Sequence, residues 1–221
     1  MVRALTQGIE LQVVQDAEAA ARRIVHLLIE LSPRRIGLSG GSTPRRAYEL
    51  LSESDFDLSR CDVFLVDERW VPKDDERSNS LMIGGLLASR TKARFHLPEF
   101  GESLEQSATA YAAELEPFVP LDLVLLGLGE DGHTASLFPG GPEIMATDIV
   151  TTSQGPDSER ITMTLECLNQ SSVALFLVTG ESKKKAVQRL VQGEDIPASR
   201  VRSKQRLILV CDEPAMPGGI A

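Results

Sequence analysis

Short apolar runs alternate with helix-period segments along this chain. Arg35–Leu38, Asp62–Val66, Leu121–Leu126, Val173–Val178 and Leu207–Val210 are rich in Val, Ile and Leu and lack strict polar alternation. That is the pattern of strands covered on both faces. Between them, Ala17, Ala20, Ala21, Ile24, Val25, Leu28 and Leu31 share one helical stripe, with Asp16 placed to cap it. Ala47, Leu50 and Leu51 form a second stripe, Ala108, Tyr111, Ala112 and Leu115 a third, and Ala186, Val187, Leu190 and Val191 a fourth. Strand and helix alternating in this way predict an α/β sandwich around a mainly parallel sheet. Ligands of such sheets bind beyond the C-terminal ends of the strands, so the informative residues should follow directly on the apolar runs.

The candidate loops are Pro72–Asn79, Pro139–Pro142 and Ser153–Ser158, and none reads as an interdomain linker. Residues 1–221 are therefore expected to form a single domain, with the Pro- and Gly-rich tail 214–221 frayed. Apolar residues make up 42% and charged residues 25% of the 221, enough to close a core without disulfides or metal. The longest apolar runs fall far short of the ~18 residues of a membrane span, and the N-terminus lacks a signal peptide's long apolar stretch. Cys61, Cys167 and Cys211 are odd in number and widely spaced, as expected of buried free thiols in a reducing cytosol. The net charge of −9 argues against a non-specific nucleic-acid or membrane binder. It leaves small anions open, because a phosphate site needs only a few local cations and backbone N–H groups.

Five segments could carry chemistry. In Ile36–Pro44 a strand runs into Ser39-Gly40-Gly41-Ser42-Thr43, with Pro44 where a helix begins. Ser42 or Thr43 is the expected cap, and Gly40 and Gly41 allow the close backbone approach that an anion requires. In Val66–Pro72, Asp67, Glu68 and Arg69 fall at the same sheet edge, and Arg69 suits a carboxylate, phosphate or oxyanion. Gly127, Gly129 and Gly132 satisfy a G-x-G-x-x-G pattern after a strand. Pro139 and Gly140-Gly141 would end any following helix after about two turns, so a dinucleotide fingerprint is rejected. The same glycines could instead position Asp131 and His133, the imidazole as proton carrier and the carboxylate orienting it. His26 and His96 are read as hydrogen-bonded structural residues. Finally, Arg160 within Glu159–Thr164 and Lys183 within Thr179–Lys183 could complete an anion pocket, whereas Lys184 and Lys185 are read as solvated.

Together these segments resemble the 6-phosphogluconolactonase family. The likeness runs from SGGSTP at Ser39–Pro44, through DERWVP and Ser78-Asn79, to GLGEDGHTASLFPG at Gly127–Gly140, then ERITMT, TGESK and Pro197–Val201. Glucosamine-6-phosphate deaminases share the glycine loop and the DGH segment. They typically carry DGHIAFNEP, however, and this chain has Leu137 and Phe138 before Pro139. The resemblance implies a Rossmann-like three-layer sandwich without a nucleotide. It also implies hydrolysis of 6-phospho-D-glucono-1,5-lactone to 6-phosphogluconate in the oxidative pentose phosphate pathway. His133 would be the base, oriented by Asp131, and Arg69 would face the oxyanion or, alternatively, the phosphate. Ser39, Gly40, Gly41, Ser42, Thr43, Asp67, Arg160 and Lys183 would hold the substrate. No cofactor and no metal is implied. A cytoplasmic monomer acting on a small phosphosugar lactone, with no nucleic-acid or membrane partner, is expected. The rival readings are a deaminase or isomerase of glucosamine 6-phosphate, a non-catalytic sugar-phosphate binder and, more remotely, an NAD-dependent dehydrogenase.

Overall fold

A computed structural model describes residues 2–4, 8–88 and 90–218. In chain order the elements are β1 (Val2–Ala4), β2 (Ile9–Val14), α1 (Ala17–Leu31), β3 (Arg35–Leu38), α2 (Ser42–Ser52), β4 (Asp62–Leu65), β5 (Asp67–Arg69), α3 (Asn79–Ile83), β6 (Arg94–His96), α4 (Leu104–Leu115), β7 (Leu123–Leu126), β8 (Val150–Gln154), β9 (Glu159–Met163), α5 (Leu165–Asn169), β10 (Val173–Val178), α6 (Lys184–Gln192) and β11 (Arg206–Asp212). The main sheet has the order β1-β2-β11-β10-β7-β3-β4-β6, parallel throughout except for β1. A second, antiparallel sheet has the order β5-β9-β8.

The central strands show why the apolar runs lack polar alternation. In β10, Val173, Leu175 and Leu177 join the core under α1 and α2, whereas Ala174, Phe176 and Val178 join the core under α4, α5 and α6. Strand β7 divides the same way, Leu123 and Leu125 on one face and Val124 and Leu126 on the other. With side chains pointing alternately to two covered faces, every position is apolar. The helical stripes pack as expected except at Ala17, which is exposed, and Asp16 caps α1 by accepting from the Ala19 N–H at 2.8 Å. The three thiols are buried and free. Burial raises Cys61 to about 11 and Cys167 and Cys211 to about 12, leaving them protonated and unreactive near neutral pH.

The chain runs outward through β3, β4 and β6, then returns to insert β7 between β3 and β10. This reversal opens a crevice beyond the C-terminal ends of β3 and β7, where open α/β sheets bind ligands. Two expectations are corrected. The tail packs rather than frays through Pro217: Asp212 caps a turn over Glu213–Ala215, and both Ala215 and Pro217 are buried. Residues 219–221 lie outside the described residues. His96 bonds Asp62 and Glu114 as expected of a structural histidine, but His26 is simply exposed on α1. No helix among the described residues is long and apolar enough to cross a membrane.

Leu175 lies fully buried on the central strand. Leu175→Ala is expected to lower unfolding free energy by about 2–5 kcal/mol, measured by urea denaturation.

Candidate active site

Four strand ends supply a cleft of about 210 Å³. After β3 come Ser39, Gly40, Gly41, Ser42 and Thr43. Asp67 and Arg69 belong to β5, directly beyond β4. Gly127, Leu128, Gly129 and His133 follow β7, and Lys183 follows β10. Arg160 reaches in from β9, and Asn79, Pro44 and Ala135 complete the wall. Every residue singled out from the sequence as part of the site lies here except Asp131, which stands behind His133.

The glycine loop differs from expectation at its helix. Gly41 adopts φ +99°, so α2 starts at Ser42, and neither Ser42 nor Thr43 caps it with a side chain. Pro44 is the third helical residue rather than the first. The glycine turns the chain early, and the first-turn N–H groups face no intrahelical carbonyl. A side-chain cap would have occupied those donors. Left uncapped, they and the positive end of the helix dipole suit an anion. Gly40 is required for a different reason: a Cβ there would lie 1.8 Å from Asn79 Oδ1.

Asn79 escaped the sequence reading as a site residue, although Ser78-Asn79 was part of the family resemblance. Its Nδ2 donates to the Asp67 carbonyl at 2.8 Å, and its Oδ1 accepts from Arg69 Nη1 at 2.9 Å. Arg69 Nη1 also donates to the Arg77 carbonyl at 2.8 Å. The Asp67 carboxylate is buried and accepts from Ser136 Oγ at 2.7 Å.

Arg69 and Arg160 are direct cross-strand partners in the β5–β9 ladder. Like charges so placed repel each other. Asp157, in the turn between β8 and β9, lies against both: it accepts a hydrogen bond from Arg160 Nη2 and stands 3.9 Å from Arg69 Nε. Partial burial would raise Asp157, but Arg160 and then Arg69 hold its carboxyl below the usual range.

His133 is oriented by its own loop. Nδ1 lies 2.6 Å from Asp131 Oδ1, which also accepts the His133 backbone N–H at 3.0 Å. Burial would raise Asp131, but the His133 backbone N–H and ring keep it below the usual carboxylate range. An ionised carboxylate only accepts, so in the neutral ring the proton sits on Nδ1 and Nε2 carries the lone pair. Phe138 packs against the imidazole, ring centroids 4.9 Å apart, and the Arg160 guanidinium sits 5.7 Å from the same ring. The glycine pattern explains itself here. A Cβ on Gly129 would lie 2.1 Å from His133 Nδ1, and Gly132 takes φ +96° against Ile196. Gly129 N–H donates to the His133 carbonyl, closing the loop. Between Gly132 and Pro139 the chain forms only turns, and the first helical segment beyond is a short 3-10 turn over Pro142–Met145. The long helix that a dinucleotide fingerprint needs therefore does not follow the third glycine.

A family profile described as glucosamine-6-phosphate isomerases/6-phosphogluconolactonase matches residues 10–209. The chain belongs to this family. A 6-phosphogluconolactonase of Thermotoga maritima is 33% identical over 198 residues, spanning 86% of this chain and 90% of that protein. One from Synechocystis is 34% identical over 210 residues, spanning 87% and 88%. The crystal structure of a Thermotoga maritima 6-phosphogluconolactonase superposes with a TM-score of 0.85 at 30% identity, covering 92% of this chain and 99% of that one. A monomeric glucosamine-6-phosphate deaminase shares the fold, with a TM-score of 0.79 at 23% identity.

Gly129→Ala should displace the His133–Asp131 pair. Because ångström-scale misplacement of a reacting group costs roughly 10²-fold, kcat is expected to fall by about that factor. Far-ultraviolet circular dichroism should remain unchanged.

Proposed function

We propose that this chain hydrolyses 6-phospho-D-glucono-1,5-lactone to 6-phosphogluconate, the lactone-opening step of the oxidative pentose phosphate pathway. The observation that carries the reading is the His133–Asp131 pair, set in the same cleft as an uncapped helix N-terminus and three basic side chains. A lactone is an activated ester, so a positioned base and an oxyanion partner suffice. Water attacks C1 while its proton passes to His133 Nε2. The carbonyl oxygen becomes an oxyanion, which Arg69 stabilises. The C1–O5 bond then breaks, O5 takes the proton from Nε2, and the new carboxylic acid ionises. Asp131 keeps the proton on Nδ1 and the ring oriented throughout.

The 6-phosphoryl group rests on the Gly40-Gly41 loop and the first turn of α2, with Arg160 and Lys183 supplying positive charge. Asp67 and Ser39 contact the sugar. Ser39 Oγ is buried without a hydrogen-bond partner on the cleft wall, as suits a donor reserved for a hydroxyl. Anchoring the phosphate brings C1 to His133, an orientation effect. The lactone is favoured over an amino-sugar substrate by Leu137 and Phe138. Leu137 is fully buried and Phe138 packs on His133, at positions where deaminases typically carry polar residues of their NEP element.

The decisive assay follows lactone decay against its spontaneous background. His133→Ala is expected to lower kcat by roughly 10²–10⁴-fold, while the Kd for 6-phosphogluconate, measured by calorimetry, changes little. Near-normal turnover would remove His133 from the role of base. Lys183 is half-buried at the cleft, whereas Lys184 is exposed. Lys183→Ala is expected to raise KM by about ten- to a hundred-fold for the phosphorylated lactone only. Lys184→Ala should do far less. Equal effects of the two substitutions would place the phosphate elsewhere.

A further inference from the structure

We infer that Asp157 is a built-in counter-ion that competes with the ligand for Arg69 and Arg160 and speeds the release of product. The inference rests on the proposed lactone hydrolysis in this cleft. Its starting point is the cross-strand arginine pair, which requires a negative charge whether or not a ligand is bound. Asp157 supplies that charge from the turn of the same hairpin that carries Arg160. The turn is closed by the Gly155 N–H donating to the Ser158 carbonyl at 3.0 Å. Gly155 leaves the space that Arg160 occupies, since a Cβ there would sit 2.3 Å from Arg160 Nε. The two partners differ in freedom. The Arg160 side chain is 8% exposed and fixed between the hairpin and Phe138, whereas that of Asp157 is 43% exposed at the turn. Asp157 is therefore the partner that can withdraw when an anion arrives.

Hydrolysis changes the charge of the ligand in a way that Asp157 can sense. The lactone carries charge only on its phosphoryl group, and ring opening adds a carboxylate at C1. In the proposed geometry the phosphoryl group meets Arg160 and the new carboxylate forms beside Arg69. Asp157 contests both, so it opposes the product at two points and the substrate at one. Binding of the product is weakened more than binding of the lactone, and the carboxylate returns to the arginines as the product leaves.

The test is Asp157→Asn, which keeps an oxygen acceptor for Arg160 but removes the charge. The control is Glu159→Gln, which removes a charge from an exposed residue of the same hairpin. Initial-rate kinetics give KM for the phosphorylated lactone and the inhibition constant of 6-phosphogluconate, and inorganic phosphate serves as a second inhibitor. In Asp157→Asn the product constant is expected to fall about three- to five-fold, the size of a partly exposed ion pair. KM should fall by a smaller factor, and the phosphate constant should fall as well. Glu159→Gln should leave all three within about two-fold. If the product constant rises or stays constant, Asp157 orients the arginines and the inference is wrong. A parallel fall of KM and product constant, or an equal response in the control, overturns it too. If the unsubstituted protein neither accelerates lactone decay nor is inhibited by product, the function assigned to the cleft has failed. Asp157→Asn then still shows, through binding of inorganic phosphate, whether the counter-ion role holds.

Discussion

A buried carboxylate ties the two sheets of this protein into one site. Glu68 is 1% exposed. Its Oε1 accepts from the backbone N–H groups of Arg69 and Asn79 at 2.7 and 2.8 Å, and its Oε2 from the Ser80 N–H at 2.6 Å and Ser78 Oγ at 3.1 Å. Burying a charge is expensive unless its acceptor positions are filled, and charge-assisted bonds to N–H groups are strong. Three of the donors come from Ser78, Asn79 and Ser80, at the start of α3, where unpaired N–H groups and the positive helix end are found. The carboxylate therefore locks the beginning of α3 against β5. Asn79 follows from that lock: it reaches the Asp67 carbonyl, supports Arg69 and fills the space that Gly40 leaves open. The glycine loop, the arginine and the base of the cleft thus share one anchor, although they lie far apart in sequence.

That anchor also explains how much of the molecule the sequence made legible. The central strands β3, β4, β7, β10 and β11 were readable because burial on two faces demands continuous apolar runs. The glycine loop and the His133 segment were readable because each packs special residues into a short span. The antiparallel sheet was not. Strand β8 is Val-Thr-Thr-Ser-Gln, β5 has three residues, and β9, the hairpin partner of β8, joins β5 to the sheet only by pairing across a long stretch of chain. Such strands are specified by what they pack against, and local pattern carries little of that information. Asn79 was missed for the same reason, since its importance comes from Gly40 and Glu68 rather than from its neighbours. The reading of Ser42 or Thr43 as a cap followed sound local preference, and the positive φ of Gly41 overrode it.

The glycines after β7 show how one pattern can answer to different physics. In a dinucleotide fingerprint the three glycines serve a tight turn, an approaching pyrophosphate and close packing of a helix. Here Gly129 makes room for an imidazole and its carboxylate, and Gly132 supplies a positive φ against Ile196. The spacing matches, but the element that follows is a tight turn closed by the Leu137 N–H donating to the Thr134 carbonyl, with Ala135 at φ +49°. What separates the two cases is the chain beyond the third glycine, and Pro139 with Gly140-Gly141 made that visible in the sequence.

The electrostatics of the cleft follow a similar local logic. A chain of net charge −9 repels an anion at a distance, but ionic screening confines that field to about 8 Å at physiological salt. Inside the cleft the balance is set by the groups at hand. Arg69 and Arg160 line one wall and meet Asp157, the Arg77–Asp75 pair lies beside them, and Lys183 and the open end of α2 add to the positive side. Two arginines held opposite each other in a ladder would destabilise the small sheet if left alone. The fold accommodates them by placing Asp157 between them on a turn, and in the proposed function the same carboxylate would compete with an incoming anion. On the proposed reading, affinity for the ligand is limited by the interaction that holds the two arginines together without it. For a product more negative than its substrate, that limit would favour turnover over retention.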